Sequence, residues 1–225
     1  MDKCWANTIG GCCSKLSSEH YISGSLFGDS ITVKGFGWCP QPKTIGNASL
    51  VAKILCKNHN QFLSELDGEA KKLWEALDKT FDHSAQLSKN AVINGTFIER
   101  WMLKTLCNIM ITGKQKFEDD TTHPPKELVE IIFGIRPINK ECGLAVFHSV
   151  GNNLKNEARV TSSDIYDDKG LVGIKVGFRN INFVTTFSKP IAQLRDPDYP
   201  GVKPMFHLAR INHAGKKHHI DFTYN

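Results

Sequence analysis

A cysteine and a histidine three residues apart, Cys56 and His59, directly precede the most regular helical pattern in the chain. A Cys-x-x-His spacing is typical of metal ligands, and zinc is commonly held by cysteine sulfur and histidine nitrogen. Three more cysteines crowd the N-terminus, at positions 4, 12 and 13. Metal ligation explains this clustering better than disulfides do, so the N-terminal residues are expected to fold back onto residues 56–59.

The predicted ligands form a Cys₃His set that would hold one structural zinc ion: Cys4, Cys13, Cys56 and His59. The gap between Cys4 and Cys13 is longer than the usual two to four residues. The glycine pair before Cys12 predicts a turn, and Cys12 competes with Cys13 for the same role. Cys39 is the substitute ligand if the N-terminal spacing fails.

Composition limits the class of protein. Hydrophobic residues make up 40% of the 225-residue chain and charged residues 23%, which is ordinary for a soluble globular protein. No apolar run approaches the roughly 20 residues that a membrane span needs, and the N-terminus does not resemble a secretory signal. We therefore expect a cytoplasmic protein without membrane contact. A formal net charge of +5 is compatible with nucleic-acid binding.

Two helices are predicted after residue 59, followed by a short third. The first has an apolar face, and the second runs from about Phe97 to Gly113. Residues 114–125 are polar and proline-containing and predict a linker, and a short helix is expected from Lys126 to Phe133. The apolar face of the first helix comprises Phe62, Leu63, Leu66, Ala70, Leu73, Trp74, Leu77 and Phe81.

Beyond Gly134 the pattern changes to strands, with a hairpin turn at residues 168–170 and another at 215–216. The predicted fold class is α+β, with an N-terminal metal module and helices in residues 1–113 and a mainly antiparallel sheet in residues 126–225. The predicted strands cover residues 144–148, 157–161, 171–178, 182–187, 206–211 and 219–224.

Two segments resemble the HNH endonucleases of the ββα-metal fold. Residues 18–23 read SEHYIS and residues 55–60 read LCKNHN, which is similar to the family's acid-histidine dipeptide on a strand and its cysteine knuckle opening a helix. The resemblance covers about the first third of the chain. The family's central asparagine is absent from its usual place, and Asn47 is the stand-in. Ser23 replaces a frequent proline, and residues 35–47 correspond to an insertion.

The resemblance implies a metal-dependent enzyme that hydrolyses DNA phosphodiester bonds. By position, His20 would be the general base, oriented by Asn47, while Glu19 and Asn60 would bind Mg²⁺ or Mn²⁺. The chemistry is consistent, because phosphodiester hydrolysis needs an activated water and a cation that absorbs negative charge. Asparagine and carboxylate oxygens suit such hard cations. Restriction and phage defence are roles that nucleases of this kind serve.

The C-terminal residues 199–220 contain no acid but several cations. Such a segment can contact a phosphate backbone, although a solvated basic hairpin explains it equally well. Two other functions stay open: a catalytically inactive, zinc-containing nucleic-acid-binding module, and an assembly subunit that binds a protein partner or a second copy of itself. The predicted DNA contacts are Lys203, Arg210, Lys216 and Lys217.

Overall fold

A computed structural model describes residues 3–34, 39–79, 89–113, 115, 117, 122–148, 159–168, 170–178, 181–190, 207–211 and 217–224. Within these ranges the chain forms helices and three β-sheets, which confirms the predicted α+β class. Most neighbouring strands run antiparallel, and two neighbouring pairs are parallel.

The first sheet consists of two antiparallel strands, β1 (Leu16–His20) and β4 (Val51–Cys56). Helix α1 (Lys57–Phe62) starts at the residue after β4, so strand and helix join without a loop. Leu16 pairs with Cys56 and His20 with Val51. The start of α1 therefore lies beside the start of β1.

The first of the helices predicted after residue 59 is in fact two helices, because α1 ends at Phe62 and α2 (Ser64–Lys79) begins after Leu63. The backbone N–H of Leu63 is shared between the carbonyls of His59 and Asn60, each 3.2 Å away. Leu63 is fully buried, whereas Phe62 is 57% exposed. Phe62, which was predicted to share the apolar face of the first helix, is therefore not buried with the rest of that face, while Phe81 lies outside the described residues.

The largest sheet has six strands in the order β3-β2-β7-β8-β9-β6. Strands β2 (Ser30–Lys34) and β3 (Lys43–Gly46) come from the segment between β1 and β4. The other four are β6 (Gly143–His148), β7 (Arg159–Asp167), β8 (Gly170–Phe178) and β9 (Ile181–Thr186). Asp167 of β7 pairs with Gly170 of β8, on either side of the predicted hairpin turn, and Gly170 has a φ of +133°.

A third sheet contains β5 (Lys89–Asn94), β10 (His207–Ile211) and β11 (Lys217–Thr223). Strand β11 pairs antiparallel with β10 and parallel with β5. Strands of the two predicted parts of the chain, residues 1–113 and 126–225, thus pair with each other in two places. These pairs are β2 with β7 and β5 with β11. One hydrophobic cluster also extends from Cys4 to Phe222, so residues 1–113 and 126–225 share sheets and core.

Helix α3 (Gly95–Thr112) is the centre of the core, and α4 (Lys126–Ile132) packs against it. Asn94 caps α3, because its side chain accepts a hydrogen bond from the Phe97 N–H at 3.1 Å. Every residue from 101 to 110 is buried, including the polar Lys104 and Asn108. None of the described helices is both long enough and apolar enough to cross a membrane.

Candidate metal centre and adjoining cleft

Cys56 and His59 meet because a strand changes to a helix between them. Cys56 is the last residue of β4, and His59 lies one turn into α1, so the helix brings the imidazole back over the thiol. The Cys56 Sγ and His59 Nδ1 are 3.4 Å apart, and both residues are buried. The predicted pairing of these two side chains is present.

Cys4 reaches the same place because the N-terminal segment lies along β4. The backbone N–H of Trp5 donates to the Ile54 carbonyl at 3.1 Å, and the N–H of Cys56 donates to Cys4 Sγ at 3.3 Å. Cys4 Sγ is also 3.3 Å from His59 Nδ1. Burial raises the pKa of the Cys4 thiol to about 12 and outweighs this N–H, which acts to lower that pKa.

Cys12 supplies the third sulfur, at 3.7 Å from His59 Nδ1. Gly10 and Gly11, with φ of +76° and +71°, form the turn that returns the chain toward α1. The four candidate ligand atoms include Cys12 rather than the predicted Cys13. The Cys13 thiol donates to the Lys15 carbonyl at 3.5 Å and also hydrogen-bonds to Cys56 at the edge of the cluster.

The substitute ligand Cys39 is not in the cluster either. Its thiol bonds to the carbonyls of Val33 and Gln41, at 3.6 and 3.1 Å. The ligand atoms of Cys4, Cys12, Cys56 and His59 all lie within 4.8 Å of one another. A tetrahedral zinc ion with its usual bond lengths holds sulfur and nitrogen about 3.6 Å apart. The distances of 3.3, 3.4 and 3.7 Å match that value, so this Cys₃His cluster can hold a metal ion such as zinc.

Hydrogen bonds around the cluster support ligation. Burial raises the pKa of the Cys56 thiol, but hydrogen bonds from the backbone of His59 and Cys13 and from the side chains of Cys4 and Cys13 together outweigh burial and lower it to about 7. Burial also lowers the pKa of His59, whose ring makes a hydrogen bond to the Gly10 backbone. Outer contacts of this kind fix the orientation of metal-binding side chains.

A cleft of about 660 Å³ lies beside this cluster, between β1, α1 and the start of α2. It contains the four predicted catalytic residues, Glu19, His20, Asn47 and Asn60. As predicted, Asn60 faces back toward β1, because its Nδ2 donates to Ser17 Oγ at 3.0 Å and to the Ser18 carbonyl at 3.3 Å. Since the nitrogen of this amide is held by β1, its oxygen is left for another partner.

The imidazole of His20 packs directly on Gly24. A Cβ atom at position 24 would lie only 2.7 Å from His20 Nε2 and 2.9 Å from Cδ2, so glycine is needed there. Asn47 donates to the Gly24 carbonyl at 2.8 Å and so holds the turn on which the ring rests. Burial lowers the pKa of His20, against the opposing charge of Asp67, and this favours the neutral ring that can accept a proton.

The carboxylate of Glu19 is not free in the cleft. Its Oε1 accepts from Lys104 Nζ at 2.7 Å and from Asn108 Nδ2 at 3.1 Å, and Glu19 is only 4% exposed. Lys104 also donates to both oxygens of Asp67, at 2.7 and 2.8 Å. Burial raises the pKa of Glu19 despite the opposing charge of Lys104, whereas at Lys104 burial is outweighed by the two carboxylates, which raise the pKa of that lysine.

Lys104 and Asn108 are functional candidates that the sequence reasoning missed. Both lie in the middle of α3 and four residues apart, so they share one face of a helix that is otherwise largely apolar. Two polar residues on one face of a largely apolar helix are unusual, and this is the sequence signal that could have identified them as candidates. Asn108 also accepts from Trp5 Nε1 at 3.1 Å and thereby connects the segment beside Cys4 to Glu19.

The predicted DNA contacts are only partly within the described residues. Arg210 lies on β10 and Lys217 on β11, where Arg210 pairs with His218 and Ile211 with Lys217. These two positions are therefore close together near one end of the strand pair. Lys203 and Lys216 lie outside the described residues, so the phosphate contacts stay a prediction.

Comparisons of the chain with protein-family models, curated proteins and solved structures found no match.

Proposed function

We propose that this protein is a metal-dependent endonuclease that hydrolyses DNA phosphodiester bonds with His20 as general base. The observation that carries the proposal is the cleft, because the four residues that the HNH resemblance implies all line it. They converge from different parts of the chain: Glu19 and His20 from β1, Asn47 from the turn before β4, and Asn60 from α1. The order of two antiparallel strands and a helix is also the order that the resemblance implies.

His20 performs the proton transfer in this mechanism. The neutral imidazole takes a proton from the attacking water, and the water oxygen then bonds to phosphorus as the leaving oxygen departs. Gly24 packs against the ring, and Asn47 holds Gly24 through its carbonyl. The base is thus fixed in place before the substrate arrives, and such positioning is a large part of catalysis.

Oxygen donors of the kind that Mg²⁺ or Mn²⁺ prefers line both sides of the cleft. The amide oxygen of Asn60 and the carboxylate of Glu19 would hold the ion, and both are ligand types that these cations prefer. The ion would supply charge stabilisation to the phosphate. Asp67 also lines the cleft, where it shares the Lys104 ammonium with Glu19.

The Cys₃His cluster has a structural part in this proposal. Its four ligands join the N-terminal segment, the end of β4 and the start of α1. A zinc ion whose positions are all filled by protein ligands serves structure rather than catalysis. Zinc would therefore fix α1 against β4 and so keep Asn60 in the cleft.

One observation favours a second candidate function, a zinc-containing nucleic-acid-binding module without catalysis. Lys104 and Asn108 both bond to Glu19 Oε1, so this predicted metal ligand is already engaged. In that case the buried ion pair would serve only the fold. Substitution of His20 separates the two functions.

His20→Ala should reduce nicking of supercoiled plasmid by about 10²–10⁴-fold, since that is the usual contribution of a general base. DNA affinity and melting temperature should not change, because His20 is half-buried and lies at the cleft rather than in the core. His123→Ala is the matched control, an exposed histidine that does not line the cleft. Equal nicking rates for wild type and His20→Ala, or wild-type protein that binds DNA but never cuts with Mg²⁺ or Mn²⁺, would leave the binding module as the function.

Gly24→Ala should lower kcat by up to about 100-fold at unchanged KM, because the added methyl displaces the His20 ring. Gly28→Ala is the control: a Cβ at position 28 meets no atom within 4 Å, so its kcat should equal that of wild type. Both variants should have the melting temperature of the wild type. Full activity in Gly24→Ala would mean that the position of the ring is unimportant.

A further inference from the structure

A second cavity, of about 640 Å³, lies on the other side of α1 from the cleft. We call it the phenylalanine groove, because the rings of Phe62, Phe97 and Phe133 line it. Arg100 and the amide side chains of Asn58 and Gln61 also line the groove. Ser64 belongs to both the groove and the cleft, so the two cavities adjoin.

Phe62 is exposed although it sits in a rigid setting. It is 57% exposed, and its ring stacks on Phe133 with centroids 5.3 Å apart and an interplanar angle of 23°. Phe133 in turn packs edge-on against His59 of the metal cluster, at 5.2 Å. The exposed ring is therefore connected to the metal cluster through Phe133.

Arg100 is also held in place. Its Nε donates to the Ile132 carbonyl at 2.7 Å, and its guanidinium lies over Phe97 at 5.4 Å from the ring centroid. Gly134, with a φ of +72°, leaves room for the guanidinium, which a Cβ there would meet at 3.1 Å. With Nε engaged, the terminal nitrogens of Arg100 are the groups left for a ligand.

The chemistry of the groove suits a nucleobase better than a phosphate. Glu65 and Arg100 are its only acid and base, so the lining residues carry no net formal charge. Aromatic rings provide a stacking surface for any base, and amide and guanidinium groups bond to base edges. The cleft and the groove lie on either side of α1, and a helix with its side chains is about 10–12 Å across. About three stacked nucleotides, at roughly 3.4 Å each, cover that distance.

We infer that the phenylalanine groove binds an unpaired nucleobase of the DNA strand whose backbone occupies the cleft, with Phe62 as the stacking platform. This inference rests on the proposed function, since it assumes that the cleft binds DNA. It narrows the substrate to DNA that has an unpaired base within a few nucleotides of the cleaved bond. Binding measured separately from cleavage distinguishes the two proposals.

The test measures binding of a fluorescent single-stranded DNA oligonucleotide in the His20→Ala background, where cleavage does not interfere. Phe62→Ala should weaken binding roughly tenfold, the usual scale for loss of one stacking contact. Tyr166→Ala is the matched control, because Tyr166 is 54% exposed but does not line the groove, and it should bind like the parent. Oligonucleotides with one abasic position, moved along the strand, locate the stacked base.

The abasic position that weakens binding of the parent should have no further effect on Phe62→Ala, because both changes remove the same contact. Additive losses, an unchanged affinity in Phe62→Ala, or no binding of single-stranded DNA by the parent would each overturn the groove assignment. Even after any of these results, plasmid nicking by the wild type would still be evidence for the nuclease. Conversely, a Phe62-dependent affinity in a protein that never cuts would support the groove and refute the nuclease.

Discussion

Cys56→Ser is expected to lose the bound zinc and, with it, the folded state of the N-terminal segment, β1, β4 and α1. Structural zinc contributes about 10–16 kcal/mol of apparent binding free energy, which is as large as the whole stability of a typical domain. An isolated pair of strands such as β1 and β4 is only marginally stable in water. Zinc content by elemental analysis, thermal unfolding and hydrogen exchange of the β4 amides measure the effect.

Cys13→Ser is the matched control for this prediction. Its thiol hydrogen-bonds to Cys56 and to the Lys15 carbonyl but is not one of the four candidate ligands, and serine keeps a hydroxyl donor there, so the variant should keep one zinc per chain and a melting temperature close to that of the wild type. Cys12→Ser should instead behave like Cys56→Ser. The ligand set would be wrong if Cys13→Ser lost zinc while Cys12→Ser kept it. If the purified wild-type protein contained no zinc and Cys56→Ser had the wild-type melting temperature, the protein would have no zinc site.

Lys104→Met should reduce the free energy of unfolding by about 3–5 kcal/mol, the usual cost of removing one partner of a buried ion pair. Its side chain is 2% exposed and lies between Glu19 and Asp67, so the substitution leaves two carboxylates without their cation. Methionine has a similar length, so little packing volume is lost. Urea unfolding followed by circular dichroism measures the change.

Lys71→Met is the control, because the Lys71 pair with Glu75 is about half exposed at both ends and 3.9 Å long. Such surface pairs contribute roughly 0–1 kcal/mol, so this variant should unfold almost like the wild type. Adding Glu19→Gln and Asp67→Asn to Lys104→Met should restore part of the lost stability, since no uncompensated charge then stays buried. Equal losses in the Lys104 and Lys71 variants would contradict a buried ion pair at this position.

Local patterns in the sequence were enough to predict the elements that depend on local rules. The spacing of Cys56 and His59 predicted one half of the metal cluster, because one helical turn necessarily brings those side chains together. The apolar periodicity predicted the helix before Gly113, and β6, β8 and β9 begin within one residue of their predicted starts. Periodicity reports which face of an element is buried, and that information lies within a few turns of chain.

The resemblance placed Glu19, His20, Asn47 and Asn60 in one site, and the cleft brings the four side chains together. The ion pair beneath these residues could not be predicted from the sequence, because Lys104 is 85 residues away from Glu19. Only the packing of α3 against β1 and α2 decides that a lysine in an apolar helix meets two carboxylates. A buried charge is stable only where its partners surround it, and partners distant in sequence cannot be read from spacing.

Tertiary structure likewise decided between Cys12 and Cys13, which are equivalent as ligand types. The turn at Gly10 and Gly11 turns one of the two thiols toward His59. It also decided that Phe62 is exposed, because the break at Leu63 turns Phe62 away from the face that α2 buries. Local sequence thus determined the central helix α3, the starts of β6, β8 and β9, and the Cys-x-x-His pair. Long-range packing, which depends on how distant segments meet, decided the complete ligand set, the buried ion pair and the exposed ring.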